Sequence, residues 1–204
     1  MKNPWEEIAL SDYESHMKLD SVMQLQTMNR MMKEQFYQYP VKTIMILGIA
    51  GGNGLEHINP KVIEKVYGID VNSEYLAECA TRYPQLKEIL ECMCADLTKE
   101  TALLPNADLV VANLLIEYIG YECFKKVIGK VKPKHISCII QINTDSGFVS
   151  DSPYLHAFDQ LERVHHQMGE KELSENMKKI GYQEVMKTEE ILPNGKKLVR
   201  LDYK

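Results

Sequence analysis

The sequence predicts an α/β fold: a doubly wound, mostly parallel sheet of seven strands that closes on a C-terminal antiparallel hairpin. Three observations predict it. Apolar, β-branched runs alternate with amphipathic segments from Val41 onward, the pattern of parallel strands joined by right-handed crossover helices. The first run, Val41–Leu47, has four β-branched residues and breaks into Gly48, Ala50, Gly51, Gly52 and Gly54. The last two runs, Tyr182–Leu192 and Lys197–Tyr203, are joined through Pro193-Asn194-Gly195, whose Asn-Gly pair favours a tight hairpin.

Before the first strand the chain reads as helical. Ser11-Asp12-Tyr13-Glu14 begins a short helix, and Val22, Leu25, Met28, Met32 and Phe36 recur at the steps of a second that Pro40 ends. After the glycines, Leu55–Lys65 suits a helix that Asn59-Pro60 keeps short. KVYGID, the second strand, ends on Asp70, and Asn72-Ser73 cap the helix Glu74–Arg82. ILECMCAD ends on Asp96 and leads through Thr98–Leu104 to ADLVVANLL, which runs from Ala107 into Asn113. Tyr121–Val131 is an amphipathic helix stopped by Pro133, and His135–Asn143 is a fifth strand. Pro153–Gln167 predicts a helix with Leu155, Phe158, Leu161 and Val164 on one face, and Glu170–Ile180 another, closed at Gly181.

A strand, a glycine turn and a helix start together make a cradle where backbone amides approach an anionic ligand. Asp70 stands sixteen residues past Gly54, placed to take both hydroxyls of a ribose. With Asp96 and Asn113 it puts two carboxylates and an amide at the carboxyl ends of successive strands, where open α/β sheets bind ligands.

Over about residues 41–200 these motifs resemble the class I S-adenosylmethionine-dependent methyltransferases of the small-molecule type. The matching residues are Ala50, Gly52 and Gly54 in the turn, Asp70, the pair Asp96-Leu97, and Asp108 leading to Asn113-Leu114-Leu115. Gly48 departs by standing where the family has an acid, and Ala50 replaces its first glycine. The resemblance implies the Rossmann-like methyltransferase fold over a single domain, 1–204, with an N-terminal helical lid at 1–40. The cofactor-binding core is then 41–204, with a helical insertion near 151–168. It implies S-adenosylmethionine as cofactor and S-adenosylhomocysteine as product. Gly48, Ala50, Gly51 and Gly52 would form the turn, Asp70 and Val71 would meet the ribose, Asp96 and Leu97 the adenine, and Asn113 and Leu114 the transferred methyl. Of the lid residues Trp5, Tyr13, His16 and Met17, Trp5 and Met17 read as packing rather than ligand contacts, while Tyr13 and His16, whose polar ends a ligand could use, are assigned to the acceptor and read equally as packing.

A sulfonium methyl is already electrophilic, so positioning alone supplies roughly 7–11 kcal/mol and a base is optional. Glu117 and Tyr118 follow the fourth strand and are the catalytic candidates. Glu117 orients an amine or takes a proton from a hydroxyl, or is a solvated residue at a helix start; Tyr118 lines the pocket. Of His156, His165 and His166, the adjacent pair points in different directions, so at most one enters a shared site.

Composition narrows the partners. At 204 residues, 45% of them hydrophobic, one core suffices. A net charge of −5 argues against a nucleic-acid footprint, and the Lys125-Lys126, Lys130–Lys134 and Lys178-Lys179 clusters read as solvated surface. No apolar run suits a membrane span, and the start has no signal-peptide pattern. Five cysteines without a CxxC pair predict reduced, buried thiols in a cytoplasmic protein, with no metal. Two other readings remain: a cofactor-binding module without transfer activity, and a nicotinamide-dependent oxidoreductase, whose G-x-G-x-x-G register fails from either Gly48 or Gly52. The acceptor atom (oxygen, nitrogen, sulfur or carbon) and the oligomeric state stay open.

Overall fold

The computed structural model describes residues 2–99, 103–143 and 147–204, so part of the predicted Thr98–Leu104 connection lies outside the described residues. Among the described residues, seven strands form one sheet: β1 (Thr43–Leu47), β2 (Lys65–Asp70), β3 (Leu90–Cys94), β4 (Leu109–Asn113), β5 (His135–Ile142), β6 (Glu184–Ile191) and β7 (Lys197–Tyr203). Their order is β3-β2-β1-β4-β5-β7-β6. The first five pair in parallel, and β7 lies antiparallel between β5 and β6.

Side chains alternate across each strand, so the continuous apolar runs feed two core layers. Ile44, Ile46, Leu109 and Val111 face a layer shared with α3 (Ser73–Arg82), which contributes Leu76 and Cys79. Met45, Leu47, Val110 and Ala112 face the layer built with α4 (Ile116–Val131) and α5 (Glu170–Lys179), through Phe124, Val127, Leu173 and Met177. Each large aliphatic or aromatic side chain so buried stabilises the fold by about 1.5–3 kcal/mol.

The structure corrects several expectations. No α-helix follows the glycine turn; a single 3-10 turn, Leu55–His57, stands there before Asn59-Pro60. Its place on the sheet is taken by α2 (Gln24–Gln38), whose Met32 and Phe36 pack with Ile44, Ile46 and Leu55. Gly54 allows this: its φ is +89°, and a Cβ there would stand 3.0 Å from Met32. The N-terminal region therefore divides, α2 belonging to the sheet and α1 (Leu10–Lys18) to the cavity described below.

The predicted helix Pro153–Gln167 is a 3-10 helix, Leu155–Arg163. Leu155, Phe158, Leu161 and Val164 recur every three residues, which aligns them at 3.0 residues per turn, whereas an α-helix would let them drift. Phe158 and Leu161 pack on Ile8. Helix α4 begins at Ile116, ahead of the expected Tyr121, with a break at Gly120 (φ +73°). All five cysteines are free, but Cys94 is exposed, so burial of the thiols is not general. Among the described residues, no helix is long and apolar enough to cross a membrane.

One buried polar cluster lies between α2 and the sheet. Arg200 binds Asp202 through Nε at 2.9 Å and Nη2 at 2.6 Å, and both residues are essentially inaccessible. The Ser137 and Tyr39 hydroxyls also donate to Asp202, and Gln35 donates to Ser137 at 2.9 Å. Such a cluster is held by its completeness, since removing one partner strands a buried charge.

Candidate functional site

Two adjoining chambers lie where β1, β2 and β4 end. The larger encloses about 270 Å³ and is lined by Gly48, Ala50, Asp70, Asp96 and Asn113, with Asn3, Pro4 and Trp5 among its other walls. The smaller, about 50 Å³, is lined by His16, Glu117, Gln141 and Phe158 among others. Trp5, Tyr13, Leu114 and Tyr118 belong to both and form the wall between them.

The backbone of the larger chamber is bent into the left-handed region at Gly48 (φ +70°), Ala50 (φ +47°) and Leu114 (φ +52°). For Ala50 and Leu114 that conformation costs about 1–2 kcal/mol each, and such strain concentrates at functional sites. Asp70 holds the turn: its Oδ2 accepts from the Ala50 amide and its Oδ1 from the Asn72 amide, both at 2.9 Å. Burial pushes its carboxyl above the usual range, against the pull of the Asn72, Ala50 and Val71 amides. Each carboxylate oxygen accepts more than one bond, so Asp70 retains acceptor capacity toward the cavity. Asp96 is differently placed. Burial raises its carboxyl, but bonds from Lys99 (2.7 Å) and from the Thr98 hydroxyl and amide outweigh that and hold it below the usual range.

The predicted residues divide by position. Gly48, Ala50, Asp70, Val71, Asp96, Leu97, Asn113 and Leu114 all line the larger chamber. Gly51 instead borders a side cleft with Tyr13 and Glu14, and a Cβ on Gly52 would stand 2.8 Å from the Cys79 sulfur. The Asn113 carboxamide is paired reciprocally with Gln35, at 2.9 and 3.0 Å, and so is drawn into the buried cluster. Tyr13 and Tyr118 line both chambers; His16, Met17 and Glu117 line the smaller. His165 reaches the smaller chamber, stacked on Phe148 at 4.1 Å, while His156 is exposed and His166 binds the Glu117 carbonyl through its own amide.

Sequence reasoning missed Asn3 and Pro4, although Asn3-x-x-Glu6 is a capping-box pattern, and here both halves of the box form. It missed Gln35 too, a polar residue at a core-facing position of α2. Several bonds secure this segment over the larger chamber. Asn72 Nδ2 donates to the Trp5 carbonyl at 3.0 Å, Tyr75 Oη to that of Ile8 at 2.8 Å, and Arg82 clasps Glu14 through both terminal nitrogens.

The smaller chamber is aromatic with a carboxyl at its edge. Trp5 meets Tyr13 edge to face at 5.5 Å and Tyr118 at 4.9 Å. Glu117 is 4% exposed, and its Oε2 has no hydrogen-bond partner among the described residues. Burial pushes its carboxyl up to about 8, against the Glu117 and Gln141 amides. His16 bonds the Ser152 hydroxyl at 2.8 Å; burial and then the Lys196 ammonium hold its imidazole below the usual range.

Residues 46–134 match a family model described as a methyltransferase domain. No curated protein matches the chain. Solved structures match its fold. The N-methyltransferase NodS from Bradyrhizobium japonicum WM9, in complex with S-adenosyl-L-homocysteine, is 13% identical with a TM-score of 0.64, covering 94% of this chain and 97% of that one. Magnesium protoporphyrin IX methyltransferase (ChlM) from Synechocystis PCC 6803, with bound SAM, is 11% identical, TM-score 0.58, covering 89% and 77%. The [4+2]-cyclase SpnF is 10% identical, TM-score 0.65, covering 87% and 80%. At such identities the likeness is one of fold.

Proposed function

We propose that this chain, whose residues 46–134 match a methyltransferase-domain model, is a class I S-adenosylmethionine-dependent methyltransferase and that it methylates a small molecule held in the smaller chamber. The observation that carries the reading is the shared wall: Trp5, Tyr13, Leu114 and Tyr118 border both chambers. The larger chamber fits the cofactor. A carboxylate with acceptor capacity to spare stands at the end of β2, left-handed backbone forms the turn after β1, and Val71 and Leu97 offer apolar surface beside Asp96. Asp70 is assigned to the ribose hydroxyls, and Asp96 with Leu97 to the adenine; because Lys99 already binds Asp96, the exocyclic amine shares that carboxylate. Bound there, the cofactor supplies a sulfonium methyl, an electrophile that passes to a nucleophile as the carbon–sulfur bond breaks onto sulfur.

The chain's own residues position and enclose. Residues 3–5 and α1, bound to Asn72, Tyr75 and Arg82, cover the larger chamber, and the 3-10 helix Leu155–Arg163 packs on Ile8 beside them. Closure excludes water from the reacting groups. His16 and Tyr13 shape the acceptor's chamber, Tyr118 lines it, and Glu117 is the titratable group nearest the work of handling a proton. A chamber of about 50 Å³ takes a small acceptor or the narrow end of a larger one. A cell extract incubated with the protein and methyl-labelled cofactor tests this by size fractionation. The label is expected in the small-molecule fraction; label recovered only on protein or nucleic acid would refute the reading.

A further inference from the structure

The smaller chamber combines two features that neither the fold nor methyl transfer requires. Its wall includes three aromatic rings, Trp5 standing nearly perpendicular to Tyr13 and to Tyr118, at 90° and 87°. Beside them is a buried carboxyl whose Oε2 has no hydrogen-bond partner among the described residues. Leaving a buried acceptor unpartnered is costly, so its retention inside an aromatic wall calls for a ligand that offers a donor. Aromatic faces attract cations, and a carboxylate in such surroundings is compensated best by a positive hydrogen-bond donor.

We propose, resting on the small-molecule reading above, that the methyl acceptor is a small aliphatic or arylalkyl amine, bound as its ammonium ion by Glu117 and by the rings of Trp5, Tyr13 and Tyr118. A phenol, thiol or carboxylic acid would bring no positive charge to the rings, and an acid would place a like charge against Glu117.

The chemistry balances with the groups present. The bound ammonium gives one proton to the Glu117 carboxylate, which frees the nitrogen lone pair. That pair forms the new nitrogen–carbon bond to the sulfonium methyl while the carbon–sulfur pair passes to sulfur. The methylated ammonium leaves with its charge, and Glu117 returns its proton to water when the chamber opens. Glu117 is suited to this exchange, since burial raises its carboxyl to about 8 and brings it closer to an amine's range. The titratable and charged groups around it are consistent with that role. Tyr13 from α1, Tyr118 and Tyr121 from α4, and Cys138 from β5 are all raised and so neutral at pH 7. His16 and His165 are lowered, first by burial; Lys196 contributes at both, and its ammonium is bound to the Gly147 carbonyl. Glu117 is thus the acidic group of the chamber.

Trp5 is the only tryptophan in the chain, so its fluorescence reports the chamber directly. The experiment titrates the protein, saturated with S-adenosylhomocysteine, with propylamine and benzylamine and with propanol and benzyl alcohol. The amines are expected to bind at least tenfold more tightly than the matching alcohols, with affinity rising from pH 6 to 8 as Glu117 ionises. Glu117→Gln should erase that preference, and label from methyl-labelled cofactor should appear on amine nitrogen. Equal binding of amines and alcohols by the unaltered protein would overturn the proposal, as would a preference that survives Glu117→Gln or label passing to oxygen or sulfur acceptors instead. Because the first comparison uses the unaltered protein, misfolding of the variant does not shield the proposal. Label reaching a small oxygen or sulfur acceptor would refute the amine assignment while leaving the small-molecule reading intact; failure to label any small molecule would count against both.

Discussion

Replacing Asp70 tests the cofactor assignment at its firmest point. The carboxylate is 8% exposed and accepts the Ala50 and Asn72 amides at 2.9 Å, so it shapes the turn as well as facing the chamber. Asp70→Ala would strand both amides, at about 1–3 kcal/mol for each left unsatisfied, and so confuses folding with binding. Asp70→Asn keeps the size and one carbonyl oxygen, so the turn retains one of its two bonds. What it loses toward the ribose is the charge-assisted part, about 1.5–3 kcal/mol for bonds to a charged acceptor. That corresponds to a fall in S-adenosylhomocysteine affinity of roughly tenfold to a hundredfold. Titration calorimetry on the folded variant, checked by circular dichroism, measures it. Unchanged affinity in a folded Asp70→Asn protein would refute the ribose assignment.

At Asp96, Asp96→Asn should weaken the same ligand less than Asp96→Ala, because the amide keeps an acceptor although it loses the Lys99 ion pair; equal affinity for all three proteins would remove Asp96 from the site. Glu117 gives a pH signature. Its folded carboxyl titrates near 8, above the unfolded value, so between about pH 4.5 and 8 the folded chain holds a proton that the unfolded chain has released. Stability of the ligand-free protein should therefore fall as pH rises through that window, and Glu117→Gln should flatten the curve; parallel curves in urea titrations would contradict this. Asp202→Ala leaves the buried Arg200 without its bidentate partner and should cost about 3–5 kcal/mol in the same assay, whereas a loss under 1 kcal/mol would mean that the cluster relaxes.

Much of the sheet was legible because its signals are local. Strands buried on both faces must be apolar, and the acids at their carboxyl ends are conspicuous against that background, so Asp70 and Asp96 could be placed from spacing alone. The hairpin followed from Asn194-Gly195 by the same kind of local rule. Tertiary choices were less visible. Asn59-Pro60 weakens the helix after the glycine turn, but only the fold shows α2 lying in its place with Met32 over Gly54. The partner of Asn113 is Gln35, on a helix distant in sequence, and no periodicity in β4 announces it. Glu117 also read as a solvated residue at a helix start; it does stand in the first turn of α4, but buried, which its place in the sequence does not announce. The three-residue spacing in Leu155, Phe158, Leu161 and Val164 was present in the sequence and favours 3-10 geometry, which a search for α-helical faces passes over.

Deletion of residues 1–20 tests most directly the proposal that transfer takes place in a chamber that the N-terminal segment closes. Melting temperature, S-adenosylhomocysteine affinity and label transfer to the small-molecule fraction are measured on the same truncated sample. The glycine turn, Asp70 and Asp96 all remain, so a folded protein that binds the cofactor product with a modest loss is expected. Removing Trp5, Tyr13 and His16 opens both chambers to water, and transfer should be abolished. A folded truncation with full transfer activity would rule out closure of the chamber by this segment.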